Sequence, residues 1–459
     1  MANITIIGAG GYVFPLRLVA DVLSFPALQS SSITLMDIDG ERLEKNANVV
    51  RELVNHHNLP ARVESTTDRR KALTNADYVI ITFQVGGLEA YKLDKDIPLK
   101  YGIDQAVGDT LGPGGVFRFL RSAPAYKAIA EDMLELCPNA LLINYANPMA
   151  MACWYLSNLG IKTVGLCHSI QGTTRMLARH LNVPYEDISF TSAGINHQAW
   201  VLEFKRGKED LYPRLREIMN TEHVRGKAQK KMADDHGDHS DAKEEHSTYE
   251  GGQERVRSAL MAMFGYFHTE SSHHASEYLA YFRKNLEMIL ENIPQRWDYF
   301  EVCAAHDENE HLRFLEEAKK GLKPSLEYGS HIIHATETGQ PTVVYGNVPN
   351  TNLITNLPEG CCVEVACLVD RNGIQPTHAG DLPVQLAAVN RLNINVQQLA
   401  VQAALTENLE HVYHATALDP LTSALLTLPQ IRTMVDEMLQ AEAQWLPEFA
   451  RPKVLQAAD

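Results

Sequence analysis

The residues NITIIGAGG at positions 3–11 constrain the fold more than any other part of the chain, because a short apolar run ends there in the turn Gly8-Ala9-Gly10-Gly11. The turn opens directly into YVFPLRLVADVLSF, which has helical spacing, and then into SITLMDID, a second apolar run closed by acids. Strand, glycine turn, helix and strand make a βαβ unit. GERLEKNANVVRELVNHH reads as an amphipathic helix, and ADYVIITFQVGG and NALLINYANP read as further buried strands. Such alternation implies a doubly wound parallel sheet. After about residue 195 the pattern changes to helical segments such as RVRSALMAMFGYF and NLEMILENI, interrupted by the polar run MADDHGDHSDAKEEHSTYEGG, which is expected to be a loop. PTVVYGN and CCVEVACLV then form a β-rich piece among alanine- and leucine-rich helices. The expected organisation is α/β: a Rossmann-type parallel-sheet domain over residues 1–195, then an α+β domain over 196–459.

In such a fold the glycine turn lets the backbone approach a pyrophosphate, and the helix that follows presents its positive end to it. Gly8, Gly10 and Gly11 are therefore cofactor-binding candidates. Asp37, closing the second strand, is placed to accept from a ribose 2′-hydroxyl, and its charge favours NAD over NADP. Val13 stands where the usual fingerprint has a third glycine. The plain alternative is a glycine turn that binds nothing.

Charge narrows the remaining ligands. A formal net charge of −16 over 459 residues argues against nucleic acid and against anionic membrane surfaces, and leaves small molecules. Seven cysteines, without a CxxC pair, suit a reducing compartment. No secretory leader pattern opens the sequence, and no run is apolar enough to span a bilayer, so a cytoplasmic location is expected.

Against that background GLCHSI, residues 165–170, is unusual. It places Cys167 and His168 just after the strand-like run IKTVGL. A parallel sheet opens its ligand crevice at the carboxyl ends of its strands. Asn147 in NYANPMA falls at another such end, and His197 follows the strand-like ISFTSAGIN. A thiolate and an imidazole suit a borderline divalent ion such as Mn²⁺, Fe²⁺, Co²⁺ or Ni²⁺, and holding it with Cys167 and His197 alone leaves positions for substrate oxygens. The bland alternative is a buried cysteine beside a satisfied histidine.

These segments together resemble glycoside hydrolase family 4, the NAD- and metal-dependent glycosidases. The likeness runs from IIGAGGYVF and LMDIDGERL through DTLGPGG, NYANPMAM, GLCHSIQGT, AGINHQAW and HTESSHHASEY to YGNVPN and LPEGCCVEVACLVDRNGIQP. Melibiase-type α-galactosidases in that family carry CHSV where this chain has Cys167-His168-Ser169-Ile170, whereas phospho-sugar enzymes carry CDMP or CN(V/I)P. The phospho-sugar enzymes also place an arginine where this chain has Tyr91, which removes a phosphate anchor.

The resemblance implies a lactate/malate dehydrogenase-like architecture and an α-galactoside substrate. It also implies NAD and a divalent metal, Mn²⁺ first, as cofactors, and a homo-oligomer, dimer or tetramer. The implied reaction is oxidation at C3, elimination across C1–C2, water addition and re-reduction, an exception to the usual two-carboxylate scheme. Cys167 and His197 become metal ligands, Asn147 a substrate-orienting residue, and Tyr278 in ASEYLAYF the base for the C2 proton. His168 either protonates the leaving group or holds the sugar. Glu270, His273 and His274 are secondary candidates, since a run this polar is more often a solvated loop. Two rival readings are a 2-hydroxy-acid dehydrogenase, which needs an arginine clamp and a His–Asp relay, and a non-catalytic NAD-binding protein.

Overall fold

A computed structural model describes residues 1–221, 254–293, 298–305 and 309–452. The polar run at 232–252 lies outside the described residues. The chain forms two compact units, each assembled from three stretches: residues 1–84, 125–168 and 305–380 in the first, and 85–124, 169–304 and 381–459 in the second.

The first unit is built on six parallel strands: β1 (Asn3–Ile7), β2 (Ser32–Met36), β3 (Arg62–Thr66), β4 (Tyr78–Ile81), β5 (Leu141–Asn144) and β6 (Thr163–Gly165). Their order is 3-2-1-4-5-6, the Rossmann order with its reversal between β1 and β4. The sequence explains the burial, since the YVII of β4 is apolar at every position and all four residues are buried. Only a strand covered on both faces tolerates that pattern.

Helix α1 (Phe14–Ser24) follows the glycine turn and carries Pro15 in its first turn, where a missing N–H costs nothing. Helix α2 (Gly40–His56) is capped by Asp39, which accepts from the amides of Glu41 and Arg42. PTVVYGN and CCVEVACLV are strands as expected. They form an antiparallel pair, Thr342–Pro349 with Cys362–Asp370, and the former meets β6 at Asn347 and Gly165. The unit that holds the parallel sheet thus also holds these later strands.

In the second unit, β7 (Ile188–Ile195) and β8 (Gln198–Arg206) form an antiparallel hairpin. Ile195 pairs with Gln198, so Asn196 and His197 alone make the turn. The helix Arg255–Phe264 ends at Gly265 in the left-handed conformation, and Phe267 and His268 then pair with β8. Met176, Leu177, Phe204, Leu215, Met219 and Phe267 belong to one core cluster. Trp200 is completely buried and donates to Asn390 Oδ1 at 3.1 Å, tying the hairpin to the long helix Val384–Thr406. No described helix is long and apolar enough to cross a membrane.

Candidate functional site

In the first unit the glycine turn and Asp37 come together as the sequence pattern implies. Gly8 has φ +94°, and a Cβ there would lie 2.6 Å from the amide nitrogen of Phe83, so both conformation and space demand glycine. Gly10 N donates to Asp37 Oδ2 at 2.8 Å, and Asp39 N donates to Oδ1 at 3.0 Å, which fixes the carboxylate beside the turn. Gly11 N donates to Gly8 O at 3.0 Å. Buried Asn46, on α2, was not singled out from the sequence. Its amide donates to the carbonyls of Ala9 and Gly11, at 2.8 and 2.5 Å, and clasps the turn from behind. Val13 is buried at the start of α1, and no side chain caps that first turn. A tight glycine turn, an uncapped helix start and a fixed acid form a cradle that fits a dinucleotide.

The carboxyl ends of β5 and β6 carry the other first-unit candidates. Asn144 builds the turn after β5, donating to Ala146 O and accepting from Ala146 N, and Asn147 follows, half-buried, before Pro148 across a cis peptide bond. Cys167 is 8 % exposed. His168 differs, with its side chain 69 % exposed and its Nδ1 3.7 Å from Glu327 Oε1. Glu327 also acts on Tyr145, whose hydroxyl accepts from the Gly329 amide at 2.9 Å. Burial, and then Glu327, push the Tyr145 phenol upward.

The second unit gathers His197, Glu270, His274 and Tyr278. His197 occupies the hairpin turn at φ +59°, a left-handed conformation that histidine, with Asn and Asp, adopts more readily than most residues. Its Nε2 lies 3.6 Å from Glu270 Oε2. Its Nδ1 is 3.1 Å from the Tyr278 hydroxyl and 3.2 Å from Thr110 Oγ1. His274 Nδ1 reaches the same hydroxyl at 2.9 Å. Thr110 Oγ1 donates to Asp109 Oδ1 at 2.8 Å, so towards His197 it acts as an acceptor. That leaves His197 Nδ1 as the N–H and Nε2 as the lone pair, the tautomer that a ligand to a cation needs.

Tyr278 is 1 % exposed. Burial first, then the charges of Glu270, Glu277 and Asp109, push its phenol well above the ordinary value. The polar stretch around Glu270, which reads from sequence like a solvated loop, is buried: Glu270 and His273 are inside, and His274 is partly so. His273 makes none of the contacts to the Tyr278 hydroxyl just described, and its carbonyl accepts from Ser276. His268 is a core histidine, held neutral by burial that lowers it to about 3. Asp109 and Thr110 were not singled out as site residues, although both lie in the DTLGPGG motif. Tyr91 is buried and donates to Val107 O at 2.6 Å.

The first unit thus has a parallel sheet and a glycine turn that fit a dinucleotide, and the second buries a phenol against an imidazole, an α/β arrangement. The chain belongs to the family 4 glycosyl hydrolases: the family model matches residues 3–183 and the family's C-terminal domain model matches residues 192–422. It is 41 % identical over 462 residues to an alpha-galactosidase of Bacillus subtilis (98 % of this chain, 100 % of the relative). To an alpha-galactosidase of Rhizobium meliloti it is 36 % identical over 468 residues (98 % and 90 %). Among solved structures, a putative glucosidase from Bacillus subtilis matches with TM-score 0.81 and 28 % identity, covering 95 % of this chain and 99 % of that one. A 6-phospho-alpha-glucosidase from gut microorganisms, in complex with NAD and Mn²⁺, matches with TM-score 0.78 and 21 % identity, covering 97 % and 99 %. A malate dehydrogenase from Plasmodium falciparum shares the fold alone, at TM-score 0.51 and 12 % identity over 90 % of this chain and all of that one. The chain is thus a glycoside hydrolase on a fold shared with a dehydrogenase.

Proposed function

We propose that the chain hydrolyses α-galactosides of the melibiose type in a cytoplasmic setting, as a homo-oligomer, by oxidation at C3, elimination across C1–C2, water addition and re-reduction. The observation that carries the chemistry is the buried phenol of Tyr278 in contact with His197 Nδ1. The substrate follows from the full-length relation to two alpha-galactosidases. In this reading residues 1–195 form the dinucleotide-binding domain, whose strand ends also lend Asn147, Cys167 and His168, and 196–459 form the catalytic and substrate domain.

Bound NAD⁺ supplies a hydride acceptor that becomes the donor at the end of the cycle, and a bound divalent cation such as Mn²⁺ supplies positive charge for the sugar oxygens. The turn of Gly8, Gly10 and Gly11 holds the pyrophosphate and Asp37 accepts from the ribose. Cys167, as thiolate, and His197, through Nε2, hold the cation, a donor set suited to a borderline metal. Asn147 orients the sugar hydroxyls. Tyr278 removes the C2 proton; burial and the nearby acids oppose ionisation of its phenol, and the two imidazole nitrogens at its oxygen offset them by donating to the phenolate. Exposed His168 protonates the leaving oxygen or holds the sugar, with Glu327 orienting its ring. Glu270 is the secondary acid–base candidate.

The test is hydrolysis of 4-nitrophenyl α-galactoside with and without NAD⁺, Mn²⁺ and reductant. Turnover is expected only with all three, and activity that survives stripping of both cofactors overturns the reading.

Asp37 offers a narrower test. Asp37→Ala removes the acceptor from the ribose and is expected to weaken NAD⁺ binding by about 1–3 kcal/mol while reducing discrimination against NADP⁺. Titration of both dinucleotides by fluorescence reads this out, and an unchanged preference assigns the ribose to another residue.

A further inference from the structure

The segment 105–110 carries Asp109 and Thr110 to His197 and Tyr278, yet it is neither helix nor strand. Three side chains hold it and the preceding Asp104. The fully buried Glu277 accepts from the amides of Ala106, Val107 and Gly108 at 2.5, 2.7 and 2.9 Å, the first two on Oε1 and the third on Oε2. Arg283, also buried, donates to Asp104 O at 2.6 Å and to Asp104 Oδ1 at 2.9 Å. Tyr91 donates to Val107 O from the other side. The glycines of the following helix complete the clasp, because a Cβ on Gly114 would lie 2.6 Å from Gly108 O and one on Gly115 2.5 Å from the Thr110 carbonyl carbon. Side chains larger than hydrogen would drive the segment away.

From this arrangement we propose that Glu277 is a positioning residue for proton abstraction, acting through the segment 105–110 on the base that follows it in sequence. Its carboxylate gathers three consecutive backbone N–H groups, which sets where Thr110 Oγ1 lies. Thr110 in turn gives its hydrogen to Asp109 and accepts from His197 Nδ1, which also meets the Tyr278 hydroxyl. One side chain thus couples the backbone of Tyr278 to the polar groups around its hydroxyl. A displacement of about 1 Å at reacting atoms costs about 100-fold in rate, so a clasp of this kind acts on kcat and leaves ground-state binding alone. The inference rests on the galactosidase reading for its kinetic arm only.

The experiment compares Glu277→Gln, Thr110→Val and the double variant, each with NAD⁺ and Mn²⁺ present. The glutamine keeps the shape but turns an N–H donor towards backbone N–H groups. Expected are a fall of about 100-fold in kcat with KM within about threefold, faster amide hydrogen exchange at 105–108, and unchanged exchange at 188–206. The double variant is expected to be no slower than the slower single variant, since both breaks lie on one path. Additive losses, a kcat within about threefold of the parent, or unaltered exchange at 105–108 each overturn the proposal. If Glu277→Gln does not fold, Tyr91→Phe releases the same segment from its other side, with a smaller loss in kcat and unchanged KM expected; no loss overturns the proposal. A parent protein without galactosidase turnover refutes the functional reading instead, and the exchange measurement then decides the clasp by itself.

Discussion

Cys167→Ser is expected to abolish hydrolysis, by about 1,000-fold or more, while leaving NAD⁺ affinity within about twofold of the parent. A cation that stabilises developing charge on sugar oxygens is worth several kcal/mol, and each 1.36 kcal/mol is tenfold in rate. Serine differs from cysteine by a single atom, so the packing around a side chain that is only 8 % exposed changes little. A neutral hydroxyl, however, replaces a soft anionic ligand. Bound Mn²⁺ measured by electron paramagnetic resonance should fall with activity, and NAD⁺ titration should not. A matching loss of NAD⁺ affinity would refute the division between thiol and dinucleotide turn. Alkylation of Cys167 should inactivate in the same manner, and full activity after confirmed modification counts against the assignment.

Much of the first unit was legible because its signals are local. An apolar run, a glycine turn, helical spacing and an acid after the second run describe β1, α1, β2 and Asp37, and the structure joins Gly10 to Asp37 by a direct hydrogen bond. The hairpin strand β7 was legible for the same reason. Its partner β8 was not read, since QAWVLEFKR lacks a strict period of two. The helix that begins at Gly112 was hidden by its own opening, Gly112-Pro113-Gly114-Gly115, which has the composition of a turn. Those glycines answer to the close approach of 108 and 110, a tertiary demand that no local pattern carries.

The candidate site divides along the same line. Cys167, His168 and His197 could be singled out from residue type and place in the sequence, and Tyr278 only through the family resemblance. Residues that act by holding others could not. Asn46 clasps the glycine turn from α2, Glu327 meets His168 from a distant stretch, and Glu277 gathers three amides 169 to 171 positions away. Their side chains are ordinary and only folding reveals their partners. The buried stretch Glu270–His274 shows the converse, where a polar composition suggested solvent and the fold placed most of it inside.

Tyr278→Phe removes a single oxygen from a packed ring and is expected to lower kcat by about 100- to 10,000-fold, the range for loss of a positioned base, with KM little changed. The ring itself remains, so the contacts of its buried face persist. His197 Nδ1 and His274 Nδ1 lose their shared partner at 3.1 and 2.9 Å, a local change beside the site. The decisive observable is the hydrogen at C2. Elimination must break the C2–H bond before water returns, whereas displacement at C1 leaves it intact. Turnover by the parent in D₂O should therefore place deuterium at C2 of the released galactose, with no net reduction of NAD⁺, and Tyr278→Phe should suppress that exchange more than it weakens substrate binding. A base sealed from solvent can return the same proton, so substrate deuterated at C2 supplies the second measurement. A primary isotope effect on kcat supports elimination even where exchange is absent. Full activity with neither exchange nor an isotope effect would leave Tyr278 without its role, and exchange that persists undiminished in Tyr278→Phe would transfer the role to Glu270, the carboxylate 3.6 Å from His197.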